Sequence, residues 1–153
     1  MEPGRVLRHF TEKEALKWAE RWISVYAQDA RGANIKAYLW HTFSSGRYPC
    51  VCKQEAEDSY RRQIATEIVV LSNSRRSGLL TDALPTNLAC MDYCVFPVNM
   101  AWTMAFTHED GWLGPYFATH PDYKKLVAQD AERLRALQQK AKEIEHAKQR
   151  GWL

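Results

Sequence analysis

Residues 101–117 read Ala-Trp-Thr-Met-Ala-Phe-Thr-His-Glu-Asp-Gly-Trp-Leu-Gly-Pro-Tyr-Phe. From Ala101 to Glu109 this stretch alternates. Trp102, Met104, Phe106 and His108 fall on one side of an extended chain, and Thr103, Ala105, Thr107 and Glu109 on the other. Asp110-Gly111 is a dipeptide favoured by the type I′ hairpin turn, which needs positive φ at both central positions. Trp112 to Phe117 then reads as the returning strand. Pro115 has no N–H to give to a ladder, so it places that strand at the edge of a sheet.

Working outward from this hairpin, Met91–Phe96 alternates as a strand and Pro97-Val98-Asn99 turns the chain. Thr66–Leu71 is β-branched and apolar, the pattern of a strand covered on both faces. Ile35–Phe43, rich in aromatic and apolar residues, also reads as a strand. Leu79–Leu88 has no readable period, and Pro85 limits any helix there. Helices flank these strands. Thr11 and Glu14 form a capping box that opens a helix to about Asp29, with Phe10 placed to pack on Ala15 as a staple. Ala15, Leu16, Ala19, Trp22, Ile23 and Tyr26 recur at helical spacing along it. A second helix is expected from about Lys53 to Ile64. Thr119-His120-Pro121-Asp122 opens the last, with Thr119 as the cap, and it runs to Arg150 before Gly151. At 1.5 Å per residue it is roughly 45 Å long, more than a compact domain of this size spans, so its distal half projects or meets a partner. The predicted fold is α+β: a mostly antiparallel sheet of about four to five strands, with the N-terminal and long C-terminal helices packed on one face. Residues 1–153 read as a single domain in which 119–150 are the long C-terminal helix.

Bulk composition narrows the function classes. The chain has 153 residues, 46% of them apolar and 25% charged, the ordinary globular range. A net charge of +3 falls short of a dedicated nucleic-acid binder. It is also the wrong sign for an inhibitor that mimics nucleic acid. The N-terminus carries no apolar signal region, and no run is long enough to span a bilayer, so a cytoplasmic protein with no membrane partner is expected. The four cysteines, at 50, 52, 90 and 94, then read as free thiols. Their spacing departs from the zinc-ribbon pattern, and neither a metal nor a cofactor is expected. Six Trp and seven Tyr are more aromatic surface than a core of this size absorbs. Trp40, Trp102, Trp112 and Tyr116 are the candidate anchors of an interface.

The candidate chemistry is sparse. His108 beside Glu109 at a strand end resembles acid–base machinery. In a regular strand the two face opposite ways, and a turn-shaping role weighs more. His41 would approach His108 if their strands were neighbours. Arg61-Arg62 and Arg75-Arg76, with Lys124-Lys125, are basic pairs that read first as solvated charge and second as a phosphate patch.

Tyr38-Leu39-Trp40-His41-Thr42-Phe43-Ser44, Tyr48-Pro49-Cys50, Trp102-Thr103, Thr107-His108-Glu109 and Gly114-Pro115-Tyr116-Phe117 together resemble the bacterial domain-of-unknown-function 4275 family. The resemblance spans roughly residues 12–118 and leaves out the terminal helix. It implies a bacterial, cytosolic context and no chemistry. The residues point first to a non-enzymatic protein-binding module, with an immunity-type inhibitor that neutralises a toxin domain as its narrower form. The rival is a small enzyme using His108 and Glu109, with His41, in a cleft over the sheet.

Overall fold

The computed structural model describes residues 4–29, 33–86, 91–109 and 112–152. By their contacts the residues fall into two units, 1–121 and 122–153.

The first unit is built on a seven-stranded sheet rather than four or five strands. The strands are β1 (Val6–His9), β2 (Val51–Cys52), β3 (Ile68–Ser72), β4 (Gly78–Thr81), β5 (Tyr93–Pro97), β6 (Trp102–Phe106) and β7 (Tyr116–Thr119). Their order is β1-β4-β3-β5-β6-β7-β2, and every pairing is antiparallel. Between Val6 and Arg8 the register of β1 shifts, while β2 is only two residues long, so both edges are short or irregular.

Helix α1 (Glu12–Tyr26) forms as its periodicity predicts. The Thr11 hydroxyl accepts the Glu14 amide at 3.2 Å, closing the capping box. Phe10 stacks on Trp18, with ring centroids 6.1 Å apart, and packs against the cluster that contains Ala15. Ala15, Ala19, Trp22 and Tyr26 are buried against Val69, Leu71, Phe96, Ala105 and Ala118, which the register places on one face of the sheet. The polar atoms in this layer are matched. The Trp22 indole donates to the Thr103 hydroxyl at 2.9 Å, and the Tyr26 hydroxyl donates to the Met100 carbonyl at 2.8 Å.

The helices do not share one face. Tyr60 of α3 (Lys53–Arg61) packs its ring 5.7 Å from Trp102 and 5.6 Å from Phe106, on the side opposite Thr103 and Ala105. The central strands are therefore buried on both faces, and Trp102–Phe106 is buried at every position.

Three other expectations need correction. Residues 35–43 are not a strand. Leu39, Trp40, Thr42 and Phe43 are buried almost in succession, without the alternation a strand needs. Asn34 instead gathers the segment into turns, its carbonyl accepting the Ala37 and Tyr38 amides, and the short helix α2 (His41–Ser44) follows. The returning strand of the hairpin begins at Tyr116 rather than Trp112, after the cis Gly114–Pro115 bond, and β2 lies outside it, so Pro115 does not mark the edge. Asp110 and Gly111 lie outside the described residues. Finally, Thr119 belongs to β7 and does not cap the last helix. That helix, α4 (Tyr123–Gln149), has Asp122 at its N-cap and forms most of the second unit.

Candidate functional site at the loop end of the sheet

Antiparallel connections collect at the ends of strands, and one end of this sheet gathers most of the chemical side chains. The register sets Ser72 against Tyr93 and Tyr93 against Phe106. The turn after β3, Asp92 just before β5 and Thr107–Glu109 just after β6 are therefore neighbours. The 34–41 turns lie across them and are fastened by side chains. The Asn73 carboxamide accepts the Leu39 amide at 2.9 Å and donates to the Ala37 carbonyl at 2.8 Å. The Arg75 guanidinium donates to the Ile35 carbonyl.

Asp92 is the hub. Its Oδ1 accepts the Trp40 indole N–H at 2.9 Å and the His108 amide at 3.1 Å. Its carboxylate also lies 2.9 Å from His108 Nδ1. Nε2 of His108 is 3.7 Å from Glu109 Oε1. The expectation that His108 and Glu109 face apart fails because β6 ends at Phe106, so strand parity stops short of both residues. His41 is not on a neighbouring strand but in α2. His41 and His108 share a neighbour, the Tyr38 ring, which lies 5.3 Å from the His41 ring and 5.1 Å from the His108 ring. Nδ1 of His41 is 2.8 Å from the Asn34 carbonyl. Sequence reasoning missed Asp92, a single acid just before a strand whose role appears only when β5 and β6 pair.

The hydrogen bond to Asp92 raises the His108 pKa above its ordinary value. Partial desolvation opposes the rise, and the charges of Asp92 and Glu109 add to it. The sign of the stability effect follows. The folded-state pKa exceeds the unfolded one near 6.5, so the stabilisation is complete below about pH 6.5 and is lost as pH rises through the higher folded value. Urea unfolding across that window should show stability falling with pH, and His108→Gln should flatten the slope. An unchanged slope in the variant would exclude His108 as its source.

The four expected anchors divide sharply. Trp40, Trp102 and Tyr116 are 4%, 2% and 6% exposed, so they are core residues and cannot anchor a partner; Trp112 is 80% exposed. Its loop is held in place. The Glu109 carbonyl accepts the Trp112 and Leu113 amides at 3.0 and 2.9 Å, and the Thr107 hydroxyl donates to the Leu113 carbonyl. Met91, next to the Asp92 hub, is 54% exposed.

The remaining candidates disperse. Cys94 is buried in β5, Cys52 is exposed at the end of β2, and Cys90 lies outside the described residues. Burial pushes the Cys50 thiol up to about 11. Among the described residues no three His, Cys, Asp or Glu side chains are grouped to hold a metal ion. Arg61 pairs with Glu57 on the α3 face, whereas Arg75 and Arg76 line a pocket with Lys13 of α1, so the two arginine pairs do not form one patch. No helix among the described residues is long and apolar enough to cross a membrane.

Neither the curated proteins nor the solved structures contain a match to this chain. A family model does match, over residues 8–117, which takes in the whole sheet except the first two residues of β1 and the last two of β7, together with every residue of the Asp92 hub. The chain therefore belongs to the family described as domain of unknown function DUF4275.

Proposed function

We propose that this chain is a protein-binding module whose contact surface is the loop end of the sheet, centred on Trp112. The exposure of this one indole on a hydrogen-bonded loop carries the reading. A large rigid aromatic held in solvent costs solubility, and it gains most when a partner's pocket removes it from water. Met91 nearby adds apolar surface, and His108 and Glu109 supply a polar rim of the kind that surrounds such anchors. In its narrower form the partner is a toxin domain, which this chain neutralises as an immunity-type inhibitor. The size of the chain and the exposed Trp112 support that form.

The experiment is capture from lysate of the source cells, followed by affinity measurement with the identified partner. Trp112→Ala should leave the melting temperature unchanged and weaken binding by about 30-fold or more, the loss of about 2 kcal/mol expected of an anchor. Equal affinity of variant and parent would remove Trp112 from the interface.

One observation favours a second reading. A carboxylate on Nδ1 fixes a histidine's tautomer and leaves Nε2 free as a general base, and Asp92 stands in that relation to His108. In this reading the chain is a small enzyme, with Glu109 beside the working nitrogen. His108→Ala would then abolish turnover while the fold persists.

A further inference from the structure

The 27 residues of α4 carry a strict heptad. Tyr123, Val127, Asp130, Leu134, Leu137, Ala141, Ile144 and Lys148 follow one another at alternating steps of four and three, which makes Val127, Leu134, Ala141 and Lys148 the a positions and Tyr123, Asp130, Leu137 and Ile144 the d positions. Apart from Leu126, the outer positions are polar or small, among them Gln129, Glu132, Arg135, Gln139, Lys142, Glu143 and His146. Leu137 and Ile144 are 52% and 40% exposed. A helix of this composition gains most of its stability by covering such a stripe.

The two polar residues in the stripe identify what covers it. In a parallel pair each would meet its own copy, Asp130 against Asp130 and Lys148 against Lys148, which repels at both ends. In an antiparallel pair a positions face d positions. Aligning Leu137 with the partner subunit's Ala141 brings Leu134 opposite the partner subunit's Ile144, and Asp130 opposite the partner subunit's Lys148. Four apolar layers are then closed at both ends by opposite charges, and the arrangement is its own two-fold copy. The rim adds no attraction, since Lys140 faces the partner subunit's Lys140 across the axis. Asp130 already lies 3.3 Å from Arg133 on its own helix, an exposed pair of small worth that can remain in place.

We propose that α4 is a self-association element that joins two copies of this chain as an antiparallel, two-fold coiled coil, with the Asp130–Lys148 pairs setting direction and register. Four layers make a modest interface, so the dimer dissociates on dilution rather than being permanent.

Sedimentation velocity of the full chain across a concentration series is the test. A monomer–dimer equilibrium is expected. Lys148→Asp places like charges at both ends and should raise the dissociation constant on the order of tenfold, from two weakened pairs. Asp130→Lys should do the same, and the double variant Asp130→Lys/Lys148→Asp should restore the parent's constant. Helicity by circular dichroism keeps a folding defect separate from a lost interface. A chain that stays monomeric at several hundred micromolar, single variants that dimerise as well as the parent, or a double variant no better than the singles would each overturn the proposal. Asp130→Asn distinguishes direction: it weakens an antiparallel dimer, and strengthening by it would show a parallel one and refute the register.

Discussion

Trp22→Ala is expected to destabilise the first unit by about 3–5 kcal/mol, the range for removing a large buried aromatic. Trp22 is fully buried and lies at the centre of the layer between α1 and the sheet. Its ring centroid is 5.4 Å from that of Tyr26 and 5.8 Å from that of Phe43, in tilted and edge-on arrangements. Truncation leaves a cavity bounded by sheet backbone on one side and helix on the other, neither of which can move in far. The Thr103 hydroxyl loses the indole that donates to it but keeps the Val95 carbonyl at 3.4 Å, so the loss is mainly packing. Urea unfolding followed by circular dichroism measures it. A cost below about 1.5 kcal/mol would mean that the site collapses and the layer is looser than its burial implies. Trp22→Phe keeps most of the volume and should cost much less.

Asp92→Ala is expected to cost about 2–3 kcal/mol and to do so locally. Three donors converge on this carboxylate, but they are not equally exposed to water. The His108 side chain is 39% exposed and can exchange its partner for solvent, whereas the Trp40 indole sits in a residue only 4% exposed and would be left without an acceptor. An unmet buried donor carries the full desolvation penalty. Asp92→Asn keeps an acceptor for Trp40 and should recover most of the loss, while still returning the His108 pKa towards its ordinary value. The two variants thus separate packing from charge. Hydrogen exchange should show the 34–41 amides opening in Asp92→Ala, with the Leu39 amide, held by Asn73, the slowest of them. Uniform weakening of all the strands would show that Asp92 supports the whole sheet rather than the draped segment.

Parts of this fold were legible because one residue type repeated at one period. Helix α1 announced itself through its cap and its apolar face, and β3, β5 and β6 through β-branched and alternating residues. β1 gave no such signal because all four of its residues are exposed, and β4 runs from a glycine to a threonine with its leucines half-buried. Pairing with a neighbour's backbone, which leaves no mark on side-chain pattern, makes these strands. Residues 35–43 misled for the opposite reason: aromatic density reads as β propensity, but here the aromatics plug a surface from a chain of turns. The site follows the same division. His41, His108 and Glu109 were visible as residue types. Asp92, which holds His108 and Trp40 from 16 and 52 residues away in sequence, was not. Of the aromatics only burial could separate Trp112 from Trp40, Trp102 and Tyr116, and burial is a property of the finished sheet.

The irregular margins of that sheet constrain how the molecule can meet its neighbours. A strand recruits another by offering a straight row of alternating amides and carbonyls, and Val6–His9 offers a kinked one carrying Arg8 and His9. At the opposite margin, Val51–Cys52 is too brief to template anything and runs straight into a helix. Fibril-like growth, in which one sheet lengthens into the next molecule's, is thereby disfavoured at both margins, by a shifted register and charged side chains at one and by brevity at the other.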